Sequence, residues 1–149
     1  MIEALSLMPE TVHLAIAGTG STEAALKQQA RELGMDARVH FLGHVEQMPR
    51  FYQSLDVFCL PSLNEGLPLS TLEAQACGIP AAATDVGGSS ETLAPNSGAL
   101  IKPGDARNMA TTLEQMLRRP GPVNPRAFVL HNGDLRRMRR AYDELKPGG

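Results

Sequence analysis

Five short apolar runs, spaced by longer amphipathic stretches, constrain this chain most. The runs are Val12–Ala17, Val39–Leu42, Val57–Leu60, Ala81–Thr84 and Ala99–Ile101. None alternates strictly between apolar and polar residues, as expected for parallel strands covered on both faces. Parallel neighbours need crossover connections, which helices supply. Ser21 or Thr22 can cap the first long helix, which carries Leu26, Ala30 and Leu33 at i, i+4 and i+7 and stops at Gly34. Asp105 can cap another, with Met109, Leu113, Met116 and Leu117 on one face and Arg118, Arg119, Pro120 and Gly121 at its end. Strand–helix alternation of this kind predicts an α/β fold with a doubly wound, Rossmann-like parallel sheet.

The 149 residues amount to one domain's worth of chain. Residues 1–119 read as that domain. Pro120–Pro125 holds three prolines and a glycine, and reads as a linker. Beyond it, Leu135, Met138, Tyr142 and Leu145 form a stripe that predicts a terminal helix over Asp134–Lys146. Residues 120–149 are therefore expected to be a linker and a C-terminal helix.

A net charge of −2 gives no footing for a nucleic-acid binder. The absence of Trp argues against a base-stacking platform. No apolar run reaches membrane-span length, and the N-terminus lacks the basic and apolar regions of a signal peptide. A cytoplasmic protein is expected. Cys59 and Cys77 have no metal-ligand spacing and read as buried, reduced thiols. Arg136, Arg137, Arg139 and Arg140 read as a solvated helix face rather than a membrane contact.

Chemistry concentrates in Pro61–Gly78. Glu65 and Glu73 flank seven residues that include Gly66, Pro68 and Ser70. The apolar run before them reads as a buried strand. A helix follows over Leu69–Cys77, with Gly78 at its end and Pro80 beyond. One acid thus lies in a strand-to-helix loop and the other on the early turns of the helix. Orphan amides and partial positive charge at a helix N-terminus suit a phosphate. Carboxylates on either side can accept hydrogen bonds from sugar hydroxyls, so the segment reads as a nucleotide-sugar site.

These residues resemble the retaining, family-4 type glycosyltransferases of GT-B architecture. Glu65, Gly66, Leu67, Pro68, Glu73, Ala74, Ala76, Gly78 and Pro80 fit that family's Glu–seven residues–Glu motif. Leu14–Gly20, Val39–Gly43, Tyr52–Ser62, Val86–Gly87–Gly88 with Glu91, and Gly98–Asp105 match further elements in family order. The resemblance covers roughly two thirds of the chain. It implies the C-terminal half of a GT-B enzyme, binding a UDP- or GDP-linked sugar with no cofactor and no metal.

By resemblance, Glu73 accepts hydrogen bonds from the ribose hydroxyls. Glu65 is the catalytic residue, placed near the transferred sugar by the donor's hydroxyls, where it helps hold the developing oxocarbenium ion. Gly66, Leu67, Leu69 and Ser70 belong to the donor site, the last three through backbone N–H groups. Pro68 can offer none. Gly18 and Gly20 form a turn approached by the ligand, and the backbone of Val45 contacts the base. A dinucleotide fingerprint is rejected because Glu23 stands where a third glycine belongs. His44 reads as solvated, Gly87–Gly88 as a turn and Glu91 as a structural contact. Thr84 and Asp85 end a strand near the cleft.

The family places a strand, an Arg and a Lys before Leu14, whereas Met1–His13 contains neither basic residue. The isolated chain is accordingly expected to transfer no sugar, lacking also the N-terminal acceptor domain. The other readings are a non-catalytic nucleotide-sugar-binding remnant and a GT-B nucleotide-sugar epimerase. With no first strand, Val12–Ala17 and Val57–Leu60 are expected to close on each other or to accept a strand from a second copy, giving a homodimer.

Overall fold

The computed structural model describes residues 1–118 and 124–132. Its elements run α1 (Ile2–Ser6), β1 (Leu14–Ala17), α2 (Glu23–Glu32), β2 (Val39–Gly43), α3 (Met48–Gln53), β3 (Phe58–Leu60), α4 (Leu69–Ala76) and β4 (Ala81–Thr84). A 3₁₀ turn over Ser89–Thr92, β5 (Ala99–Ile101), α5 (Ala106–Arg118) and α6 (Pro125–Asn132) complete them. All five expected strands form, all ladders are parallel, and the fold is α/β of the Rossmann kind.

The strands lie in two sheets, β1–β2 and β3–β4–β5. The expected direct closure of β1 on β3 does not occur. The short helix α1 supplies the join instead. Ile2 and Leu5 pack with Ala30 and Val39 on the β1–β2 side. Ala4 and Met8 pack with Ala82, Ile101 and Met109 on the other. One amphipathic turn with apolar residues on both flanks thus serves two cores, and Val12 touches both. Arg38 holds this turn in place. Its Nε donates to the Val12 carbonyl at 2.9 Å, and its Nη2 reaches the carbonyls of Leu5, Met8 and Pro9 at 3.1, 3.3 and 2.8 Å.

β4 is covered on both faces. Ala82 turns to the α5 side with Met109, Ala110 and Leu113. Ala81 and Ala83 pack with Leu93, Phe58 and Leu60. Four consecutive buried positions explain why this run shows no alternation. β1–β2 departs from that expectation. Leu14, Ile16 and Phe41 pack with Leu26 and Ala30 of α2, while His13, His40 and Leu42 are exposed.

The caps fall close to expectation. Asp105 Oδ1 accepts from the Asn108 amide at 2.8 Å, opening α5. Thr22 is the N-cap of α2 without a side-chain hydrogen bond. Gly34 and Gly78 follow their helices at φ +68° and +89°, the left-handed conformation that glycine adopts cheaply. Helix α6 is not anticipated by periodicity. Asn124 Oδ1 accepts from the Ala127 amide at 3.1 Å, and Pro125 opens the helix at the position where proline fits best. The Asn–Pro pair, read within a linker, is a helix start. The helix expected over Asp134–Lys146, with its arginines, lies outside the described residues, as does most of the Pro120–Pro125 linker.

Candidate functional site

Glu65 lies between β3 and α4, on a loop fixed from two sides. From within, Ser62 Oγ donates to Glu65 Oε1 at 2.5 Å. Ser62 is itself tied to β4, since Thr84 Oγ1 donates to the Ser62 carbonyl at 2.5 Å. From the far side, the Gly88 amide donates to the Gly66 carbonyl at 2.7 Å. Gly87 sits so close that a Cβ there would lie 1.8 Å from the Glu65 carbonyl oxygen. Gly87 also has φ +53°. The Gly87–Gly88 pair is thus more than a turn: it is the platform on which the Glu65–Gly66 backbone rests. Only residues without a side chain allow that approach.

Glu73 lies on the second turn of α4, too far along for its charge to serve mainly the helix dipole. The residue is exposed, and its Oε2 accepts from the Tyr52 hydroxyl at 2.8 Å in a part-buried contact. Tyr52 comes from α3 and is buried, its ring edge-on to Phe58 with centroids 5.4 Å apart. Burial, then the hydrogen bond to Glu73, pushes the Tyr52 phenol well above its usual range.

The N-terminus of α4 has Pro68 as N-cap and no side-chain cap. At this end Leu69 is exposed and Ser70 half-buried, whereas Thr71 is fully buried; first-turn amides without a side-chain cap are suited to anions. Leu67 and Leu69 have exposed side chains, so backbone is what they offer a polar ligand. A buried polar network locks the helix beneath. Gln75 Nε2 donates to the carbonyls of Thr71 and Thr92, and Gln75 Oε1 accepts from the Ala94 amide at 2.8 Å. The hydroxyls of Thr71 and Thr92 lie 2.8 Å apart.

A second group gathers at the ends of β1 and β2. Gly18, at φ +114°, donates its amide to the Gly43 carbonyl at 2.7 Å, and Gly20 is exposed just beyond. Val45 follows Gly43 and is half-buried. Gly18, Gly20 and Val45 make no hydrogen bond to the Glu65–Glu73 segment among the described residues. The bridge between the two groups is α3, which follows β2 and delivers Tyr52 to Glu73.

Sequence reasoning missed three participants: Tyr52 and Ser62 as donors to the acids, and Gly87–Gly88 as the support of the loop. It also expected Glu91 to make a structural contact. Glu91 is exposed and its side chain makes no hydrogen bond among the described residues. No group of three or more His, Cys, Asp or Glu side chains that could hold a metal occurs among the described residues. Cys59 and Cys77, expected to be buried, are both half-buried; Cys59 packs against the core from β3, and that desolvation pushes its thiol up to about 12. No described helix is long and apolar enough to cross a membrane.

The profile of the family described as "Glycosyl transferases group 1" matches residues 1–129. The D-inositol 3-phosphate glycosyltransferase of Mycolicibacterium gilvum is 37% identical over 139 residues, covering 88% of this chain and 31% of that protein. A GDP-mannose-dependent monoacylated alpha-(1-6)-phosphatidylinositol monomannoside mannosyltransferase of Corynebacterium glutamicum is 31% identical, covering 80% and 33%. Among solved structures, Anabaena HepE in complex with UDP-glucose superposes with a TM-score of 0.86 at 25% identity, over 96% of this chain and 43% of that one. The chain thus spans about a third of the length of the curated relatives it matches. The parallel α/β fold is the one these GT-B enzymes share, and the chain belongs to the group 1 glycosyl transferases.

Proposed function

We propose that this chain is the C-terminal, nucleotide-sugar-binding half of a retaining, family-4 type glycosyltransferase. One observation carries the reading. Two carboxylates flank the uncapped N-terminus of α4, and each is held by its own hydroxyl donor, Ser62 for Glu65 and Tyr52 for Glu73. A UDP- or GDP-linked sugar suits this arrangement. The amides of α4 meet the diphosphate, Glu73 accepts from vicinal ribose hydroxyls with its two oxygens, and Glu65 faces the sugar. Gly18, Gly20 and Val45 line the side of the base.

In the transfer itself, the bond between the anomeric carbon and the phosphate oxygen breaks. The acceptor oxygen bonds the same face, and its proton passes to the departing phosphate. Negative charge grows on the diphosphate, where preorganised amides stabilise it best. An arginine–lysine pair from polypeptide outside these residues completes the neutralisation, so the reaction needs neither metal nor cofactor. The acceptor is bound by a second domain, also outside these residues. The 149 residues alone bind donor weakly and transfer no sugar, and they work in the cytoplasm.

The test is a titration of the chain with UDP, GDP and their sugar conjugates, read by ligand-detected NMR. Glu73→Ala should weaken nucleotide binding by roughly tenfold, as for loss of hydrogen bonds to a charged group. Glu114→Ala, which removes a half-buried acid of α5 paired with the exposed Arg118, should leave binding unchanged. Equal effects of the two substitutions would overturn the assignment.

A further inference from the structure

The Tyr52–Glu73 contact does more than fill space. A free glutamate side chain samples many rotamers and must be ordered when a ligand arrives. Here one carboxylate oxygen is already committed. Tyr52 is 2% exposed, and its ring is held by Phe58 edge-on and by Phe51 at a tilt, centroids 5.4 and 5.9 Å away. Its hydroxyl therefore has a fixed position, and Glu73 Oε2 is bound to it at 2.8 Å. That leaves Glu73 Oε1 with both lone pairs and Oε2 with one, enough for two adjacent hydroxyls in one orientation. Glu73 as a residue is exposed, which leaves it open to a ligand.

We propose that Tyr52 is a positioning residue: it sets the plane of the Glu73 carboxylate for vicinal ribose hydroxyls and so builds ribose selectivity into the site. The proposal rests on the role given to Glu73 above, and it adds a residue from a different helix. Tyr52 touches no ligand. It acts through Glu73, linking the β2–α3 side of the site to α4.

The experiment compares UDP with 2′-deoxy-UDP and 3′-deoxy-UDP on the full chain, by ligand-detected NMR. Tyr52→Phe keeps the ring and its packing on Phe58, and removes only the donor. It should weaken UDP by roughly tenfold, the scale of one hydrogen bond to a charged group, and leave the deoxy nucleotides nearly unchanged. In a Glu73→Ala background the same substitution should change nothing. Weakening UDP and the deoxy nucleotides alike would mean a merely structural role and overturn the proposal. So would a Tyr52→Phe chain with wild-type affinity for UDP, provided Glu73→Ala weakens it. If Glu73→Ala is also without effect, or the wild-type chain binds no nucleotide at millimolar concentration, the functional reading itself fails and takes the proposal with it.

Discussion

Gly87→Ala offers a sharp perturbation of the loop that carries Glu65. The added Cβ would begin 1.8 Å from the Glu65 carbonyl oxygen and 2.8 Å from its carbon. Backbone cannot swing aside as a flexible side-chain tip does. To reach even 3.0 Å, the tight limit of real contacts, the two segments must part by about 1.2 Å. Placing an L-residue at φ +53° costs about 1–2 kcal/mol more. Both effects lower stability, but only the first moves Glu65. A misplacement of about 1 Å is enough to cost roughly 100-fold in a positioned reaction. In binding, losing one hydrogen bond to a carboxylate costs about 1.5–3 kcal/mol, so the preference for UDP-glucose over UDP should fall by roughly tenfold or more. On the roles proposed for Glu73 and the α4 amides, UDP itself should be affected less. Gly104→Ala is the control. Gly104 has φ +73° and open space around it, so it carries the backbone strain without the clash. Melting curves and NMR titrations with both ligands separate the outcomes. If Gly87→Ala matches Gly104→Ala in melting temperature and keeps the preference for UDP-glucose, the close approach does not position the loop and the reasoning is wrong.

Arg38 should be a stability determinant. Its guanidinium satisfies carbonyls of Leu5, Met8, Pro9 and Val12 around the exit of α1. Arg38→Met should cost about 3 kcal/mol, or about 10 °C in a chain of this size. Arg38→Lys should restore only part, because an ammonium cannot fork between separate acceptors. Thermal melts check this, and a Met variant within about 2 °C of wild type would contradict it. Alkaline pH should destabilise the fold. The Cys59 thiol is raised from 9.0 to about 12 by burial, and the Tyr52 phenol is raised as well. A raised folded-state pKa means the unfolded chain loses its proton first. Stability is therefore complete below pH 9 and declines as pH climbs toward 12. Urea melts across that range should show it. Cys59→Ala should flatten part of the slope, and Cys59 in the folded chain should resist iodoacetamide at pH 8 by mass spectrometry.

What was legible in the sequence is what local spacing can carry. Strand runs, the helix stops at Gly34 and Gly78, the Asp105 cap and the Glu65–Glu73 interval all depend on residues within a few positions of each other. These survive in the structure with boundaries moved by a residue or two. β1 begins at Leu14 and not Val12, because Val12 turns inward between the two cores instead of entering the ladder. The fold class followed from the same local signals. The interior of the site did not. Tyr52 and Glu73 are 21 positions apart, Ser62 and Thr84 are 22 apart, and Gly87 meets Glu65 across a whole strand–helix unit. Nothing in the spacing of a tyrosine or a glycine pair announces such partners. The dihedral angles and distances do, once the sheet has aligned the ends of β3 and β4.

That division has a physical cause. The Glu–seven residues–Glu interval defines which chemistry the segment can offer, because both acids ride on one loop and helix. How accurately they offer it depends on groups that arrive from other elements. Ser62 is anchored by Thr84 of β4, Tyr52 is clamped by Phe58 of β3, and the Gly88 amide holds the Gly66 carbonyl. Each support is tied to the end of a strand or to a helix packed on the sheet. A substitution in these supports should therefore alter ligand preference before it alters the fold, whereas one at Arg38, remote from the acids, should do the reverse. Measuring melting temperature and UDP-glucose preference together for Gly87→Ala, Tyr52→Phe and Arg38→Met would show whether positioning and stability separate along this line. A common ranking of all three variants in both measurements would mean that the site has no independent scaffold and simply reports global stability.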